Sequence, residues 1–251
     1  MGSYYVIAPH VLAASNLVRN VTVAKKLRDF VLGPKDRMVS ALLEAFEAAG
    51  FKVCSDVKFS VEGQKGDLDL VAWRDGILFI LECKNAYHPC SPHEMRNSYG
   101  HIKKGREQLD LRRQLYTDPS NQAALFVKLG WSVQPTIRIH TGIIIANRVF
   151  HGARFNGHPV RHAKELMNVL LTGTIADGGD GLRFWEGETF TADDLITYLE
   201  GDSIVTKQFS ALEPYLIEID VGGRKLVFDS HVLNVQTLND TMFASYGGSA
   251  T

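Results

Sequence analysis

Cysteine is scarce: the 251 residues hold three, Cys54, Cys83 and Cys90. An odd number with no CxxC pair and no Cys/His zinc spacing excludes a disulfide framework and a structural zinc site. Proline is scarce too, at 8, while 45% of the chain is hydrophobic. That balance excludes collagen-like and disordered classes. Long apolar runs are missing. The longest, at 142–146 and 77–81, fall far short of the ~20 residues that a membrane-crossing helix needs, so no membrane association is expected. The start, Met1-Gly2-Ser3-Tyr4-Tyr5, has no basic region followed by an apolar one, so no secretory signal is expected and the location read from it is cytoplasmic. Charge of one sign is not in excess either, with 27 Lys+Arg against 28 Asp+Glu. A nucleic-acid partner would therefore have to be met by a local basic patch. Dinucleotide and P-loop fingerprints are absent. His158 and His162 stand four apart without the glutamate of a metalloprotease helix, which removes that chemistry.

What is present is patterned. Residues 11–32 carry apolar positions at helical spacing until Gly33-Pro34 breaks them. In 35–49, Val39, Leu42, Leu43 and Phe46 form one helical stripe, closed by Gly50. Residues 51–59 read as a strand, and 66–87 as two strands joined at Asp75-Gly76, a strong hairpin signal. A basic helix runs to Tyr116, a loop covers 118–121, a β-branched strand spans 137–146 and a helix 162–171. This order gives an α/β fold with a mixed sheet flanked by helices. Past the glycine-rich 177–181, a short strand at 182–185, a capping box at Thr191 and Asp194, and a hairpin turning at Gly222-Gly223 form a small α+β C-terminal extension. Its polar end, from Ser245, reads as a disordered tail. The divisions are 1–34, 35–175 and 176–251.

A two-residue loop at Asp75-Gly76 fixes the register: paired positions sum to 151. Asp69 then lies opposite Glu82, and Asp67 opposite Lys84. Opposed side chains share a face with Cβ atoms roughly 4.5–5.5 Å apart. Alternation puts Asp69, Glu82, Lys84, Val71 and Ile80 together, with Phe79, Leu81 and Cys83 on the other face. Two carboxylates this close need a compensating cation, and Mg²⁺ accepts one or two carboxylates with water and phosphate completing its shell. The plainer alternative is a salt-bridge ladder on a solvated face, which the apolar flanks disfavour.

The run Gly66-Asp67-Leu68-Asp69-Leu70-Val71-Ala72, the hairpin, and Phe79-Ile80-Leu81-Glu82-Cys83-Lys84-Asn85 resemble the PD-(D/E)xK, or restriction endonuclease-like, nuclease core. The likeness is to the versions in archaeal Holliday junction resolvases, type IV restriction endonucleases and nuclease-related domains. It covers roughly residues 35–116. The resemblance implies that Asp69, Glu82 and the backbone carbonyl of Cys83 bind Mg²⁺ or Mn²⁺, and that Lys84 orients or deprotonates the attacking water. It also implies an acid from the first helix, where Asp36 and Glu47 border the buried stripe; Asp36 is preferred. On the helix after Lys84, Leu109, Leu111, Leu115 and Tyr116 define an apolar arc that also contains Gln108 and Arg112. Gln108 matches a glutamine that the family often carries near the catalytic centre. Lys103, Lys104 and Arg106 are placed toward solvent for phosphate contacts. His88, His93 and His101 follow the motif, where a metal or phosphate contact is one reading and surface loop histidines the commoner one. Buried Cys83 is not a nucleophile.

The expectation is a metal-dependent endonuclease acting on nucleic acid, DNA first, in repair, restriction or phage defence. The alternative is a module of the same fold that binds DNA or a protein without cutting. A homodimer or membership of a larger polypeptide is left open. The intact set Asp69, Glu82 and Lys84 favours the enzyme. Removing either carboxylate is expected to leave the metal-free fold as stable as before, or more so.

Overall fold

A computed structural model describes residues 36–246 except 87, 90, 136–137, 176–181 and 186, together with Val21 and Lys25. The helix expected in 11–32, Cys90 and the loop at 177–181 lie outside the described residues. So do 247–251; Ser245, where the tail was expected to begin, is still helical.

Helix α1 (Arg37–Ala48) begins where the Asp36 carboxylate accepts the Met38 N–H at 2.8 Å, satisfying one free donor of the first turn. It ends in a Schellman motif. Gly50 takes φ 78°, and the N–H groups of Gly50 and Phe51 return to the carbonyls of Glu47 and Phe46. Strands β1 (Lys52–Val61), β2 (Gln64–Arg74) and β3 (Ile77–Lys84) follow as an antiparallel meander. Asp75 and Gly76 both have positive φ, as the tight primed turn between β2 and β3 requires.

The long helix α2 (Pro92–Tyr116) crosses back, and α3 (Pro119–Lys128) comes before β4 (Arg138–Ile145). Helix α3 was read from sequence as a loop at 118–121. Those residues are its start: Asp118 caps the Ser120 N–H at 2.7 Å and Pro119 fills a first-turn position. The short β5 (Arg154–Phe155) and β6 (His158–His162) complete a six-stranded sheet in the order β1-β2-β3-β4-β6-β5, with β3, β4 and β6 parallel. The class is α/β, with a mixed sheet flanked by helices.

Two cores sandwich this sheet. On one face α1, α4 (Ala163–Leu171) and α5 (Ala192–Glu200) bury Leu42, Phe46, Leu166, Leu195 and Leu199 against Leu70, Phe79, Leu81 and Ile144. On the other, Ile102, Leu109, Leu115 and Phe126 of α2 and α3 pack on Val71, Leu78, Ile80 and Ile143. Covered on both sides, β3 is buried from Ile77 to Glu82. Helix α5 lies in the sequence region expected to be an extension, yet it packs in the core with Phe190 at its start. Its capping box is formed as expected, and the fully buried Arg161 of β6 donates to the carbonyls of Tyr198, Leu199 and Gly201 at its far end. The short pair β7 (Thr174–Ile175) and β8 (Leu182–Arg183) follows α4. Beyond α5 come α6 (Ile204–Ser210), a separate ribbon of β9 (Leu212–Val221) and β10 (Arg224–Leu233), and α7 (Val235–Tyr246).

One irregularity shapes everything near the motif. Strands β1 and β2 pair continuously except at Asp56 and Asp69, which face each other without partners in the register, and Asp56 has φ 54°. Leu70 packs in the first core and Leu68 in the second, so the side chains change face across this point. Two facing residues have been added to a regular ribbon, as in a bulge on both strands at once.

Candidate active site

The expected register holds from Arg74↔Ile77 to Leu70↔Leu81 and stops there. Asp69 is therefore not laid across from Glu82. At the kink β2 turns away, and Asp69 Oδ2 accepts the Cys83 N–H at 2.8 Å, a backbone donor that the interrupted β2–β3 ladder no longer serves. Asp67, expected opposite Lys84, pairs with Lys58 on β1 at 2.9 Å.

Glu82 is 1% exposed, and its charge is met from within the protein. The Lys84 ammonium donates to Oε1, and the Arg112 guanidinium of α2, 3% exposed, donates to Oε2. Arg112 also lies 3.8 Å from Asp67. Desolvating these charges costs several kcal/mol per ion, and their contacts offset that only while each partner stays in place. This corrects the expectation that an external cation is needed to make the carboxylates tolerable, and with it the expectation that truncating Glu82 is harmless. Lys84 Nζ reaches Gln108 Oε1 at 3.4 Å, so the glutamine singled out in the sequence does meet the motif lysine.

Helix α2 can come this close because of Gly105. A Cβ there would stand 3.2 Å from Lys84 Cε and 3.3 Å from Glu82 Cγ, tighter than ordinary packing. Farther along, Asp110 fastens the helix to the sheet. The fully buried His158 bridges the Thr141 hydroxyl at 2.6 Å and Asp110 at 2.9 Å, and Asn156 donates to the same carboxylate at 2.8 Å. A neutral imidazole satisfies both contacts, with its Nε2–H on Asp110 and Nδ1 accepting from Thr141.

Burial sets the electrostatics. It pushes Asp69 above the ordinary carboxylate range, outweighing the Cys83 N–H and the Lys84 and Arg112 charges. It pulls Lys84 and Arg112 below their ordinary values despite Asp69, and His158 below its own despite Asp110. The Cys83 thiol is pushed up by burial and by Asp69, which disfavours the reactive thiolate.

Asp36 sits at the end of β3, where its Oδ1 accepts from Asn85 Nδ2 at 2.8 Å while capping α1. Glu47 is exposed and eleven residues farther along that helix, about 16 Å away at the helical rise. Of the two, only Asp36 adjoins the motif. Lys103 and Lys104 are exposed, as expected. Arg106 is not: it is half-buried, 3.6 Å from Asp110 and 3.3 Å from Glu107, and its Nε is buried without a partner among the described residues. The i,i+4 carboxylate of Asp110 draws it along the helix.

A recess leads to Lys84. A small cavity lined by Lys84, Ile102 and Phe150 shares Ala86, Ser98 and His101 with an open cleft of about 300 Å³ that also takes in Asn85, His88, Glu94 and Asn97. It lies at the carboxyl end of the parallel strands, where open α/β sheets receive ligands. Among the described residues no group of three or more His, Cys, Asp or Glu side chains is gathered for a metal ion. The donor kinds nonetheless suit a hard cation: the carboxylates of Asp69 and Glu82 stand beside Lys84, and Mg²⁺ needs no more than one or two of them.

No family model matches the chain, and no curated protein matches it. Among solved structures it is similar to the protein of unknown function AF1548, at 17% identity over 71% of this chain and 69% of that one, with a TM-score of 0.23. A likeness at that score carries no argument about fold or activity.

Sequence reasoning placed Asp69, Glu82, Lys84, Gln108 and Asp36 around one strand end; Glu82, Lys84 and Gln108 meet there, while Asp69 reaches it through the Cys83 N–H and Asp36 through Asn85. It missed the role of Arg112, although that residue's place in the apolar arc, four after Gln108, marked it as needing a buried partner. Gly105 gave a weaker signal, as a lone glycine inside a helical pattern.

Proposed function

We propose that the chain is a metal-dependent nuclease of the PD-(D/E)xK type, cutting DNA. The observation that supports this reading best is the meeting of Glu82, Lys84 and Gln108, with Asp69 one strand away, where Lys84 lines a recess beside a helix that carries exposed Lys103 and Lys104. Asp69 and Glu82 would hold Mg²⁺ or Mn²⁺, with Glu82 sharing an oxygen now held by its cationic neighbours. When bound, the ion would supply Lewis acidity and a more acidic water. Lys84, lowered by burial and steered by Glu82 and Gln108, is set to hold or pass a proton at Nζ and to face developing negative charge. Gln108 positions that lysine. Asp36 acts on the strand end through Asn85.

The Arg112–Glu82 pair favours a second reading, a DNA-binding module without catalysis, because the guanidinium already holds a Glu82 oxygen that a metal would need. Incubating the protein with supercoiled, linear, single-stranded and branched DNA and with RNA, in Mg²⁺, Mn²⁺ or EDTA, separates the two. Cleavage of DNA that stops in EDTA is expected. Cleavage that persists in EDTA overturns the metal-dependent reading, and binding without cleavage under every condition favours the module. Among the described residues no helix is long and apolar enough to cross a membrane.

A further inference from the structure

The β9–β10 ribbon breaks the rule that an apolar face is covered. Its register pairs positions that sum to 445, so one face carries Tyr215, Ile217, Ile219 and Val221 of β9 with Val232, Phe228 and Leu226 of β10. These seven side chains are 38–56% exposed. The other face mixes Leu216 and Val227 with Glu218, Asp220, Lys225 and Asp229, and there Lys225 pairs with Glu218 at 2.7 Å. An isolated two-stranded ribbon is marginal in water, and an apolar strip of this extent marks an interaction surface.

The charges on the apolar face say what covers it. Only two residues there are charged: Glu213 at the base, beside Val232, and Arg224 at the tip, beside Val221. Neither makes an ion pair among the described residues; Glu213 accepts only from Asn234, at 2.6 Å. The midpoint between Glu213 and Val221 along β9 is Ile217, whose cross-strand partner is Phe228. Two copies stacked face to face about a twofold axis at this pair would run antiparallel. Each base would lie on the other's tip, bringing Glu213 of one to Arg224 of the other at both ends. A twofold interface requires such self-complementarity, and stacked sheets lie about 10 Å apart with side chains interdigitated.

We propose that this face is a homodimerisation surface, in which the ribbon of one chain stacks antiparallel on the ribbon of a second, with Ile217 and Phe228 at the axis and Glu213–Arg224 pairs closing both ends. The inference does not depend on the nuclease reading.

Sedimentation equilibrium of the 251-residue chain, at concentrations up to about 100 µM, tests it. Wild type should dimerise. Phe228→Asp, which sets two carboxylates against each other at the axis, should raise the dissociation constant by about 30-fold or more, as losing a central anchor does. Glu213→Arg and Arg224→Glu should each weaken the dimer, and the double exchange should restore it; that rescue has no explanation in local folding. Circular dichroism establishes that each variant keeps its strands. A wild-type monomer at the highest concentration overturns the proposal, leaving the face to residues 1–35 of the chain or to another protein. A dimer indifferent to Phe228→Asp, or a double exchange no better than the singles, overturns it as well.

Discussion

Two regions of the molecule invert the usual partition in opposite senses. At the end of β3 ionised groups are inside: Glu82 and Arg112 are almost wholly buried and answer each other. On the β9–β10 ribbon apolar groups are outside, and nothing among the described residues answers them. The first region is self-sufficient, so it holds its shape before any ligand arrives. The second is incomplete as it stands. A buried charge network is thus a pre-organised site, and an uncovered apolar ribbon is half of an interface.

The sharpest way to break that contrast is to remove the self-sufficiency of the first region. Glu82→Ala leaves Arg112 buried without its partner, and unfolding by urea should show a loss of about 3–5 kcal/mol. Replacing Glu82 and Arg112 together by leucine and methionine should recover most of that stability while cleavage stays absent. If Glu82→Ala is as stable as wild type, the pair is not formed in solution.

Lys84→Ala should reduce cleavage by about 10²–10⁴-fold, the range for a group acting on a proton or on developing charge. Its effect on the thermal midpoint should be far smaller than that of Glu82→Ala, because Lys84 Nζ lies at the recess, with its side chain 19% exposed. Equal losses of stability in the two variants would make Lys84 a structural counter-ion only.

His158 gives a milder test of rigidity. Its folded-state value is held below the unfolded one near 6.5 by burial. The stability tied to it is therefore complete above pH about 6.5 and is lost as pH falls below that, at up to about 1.4 kcal/mol per pH unit. His158→Gln, which keeps a donor for Asp110, should flatten this stretch of a stability-versus-pH curve. An unchanged slope would mean that another group titrates there.

The smallest effect expected is on the surface. Lys103→Ala and Lys104→Ala should each lower the salt slope of DNA binding by about one, whereas Arg106→Ala should barely change it, because Asp110 and Glu107 already hold that guanidinium. Equal changes at all three would show that Arg106 leaves Asp110 for phosphate.

Much of this was legible in the sequence. The Asp-Gly turn, the stripe of α1, the capping box at Thr191 and the ribbon turning at Gly222-Gly223 are local signals, and local signals survive without knowledge of the rest. Asp118-Pro119 was misread because capping residues and turn residues are the same amino acids. The register beyond Leu70 was misjudged for a different reason. Pairing sums assume an uninterrupted ladder, and the interruption depends on Asp56, a residue of a third strand. For the candidate site, periodicity along α2 showed that Gln108 and Arg112 face inward, but which carboxylate each would meet is a matter of tertiary distance.

The kink at Asp56 and Asp69 carries a consequence for how such a site can be gained or lost. Skip both residues, and Ser55 runs on to Val57 and Leu68 to Leu70 with each strand's inward and outward turns in step. The aspartate at the motif is thus a surplus link, dispensable to the weave of the sheet as long as its opposite number goes with it. Removing Asp69 alone throws one edge of the ribbon out of phase with the other; removing the two together should leave a sheet of ordinary regularity, folded and silent. The proposed metal ligand and the architecture of the sheet are here written in separable letters of the same strand.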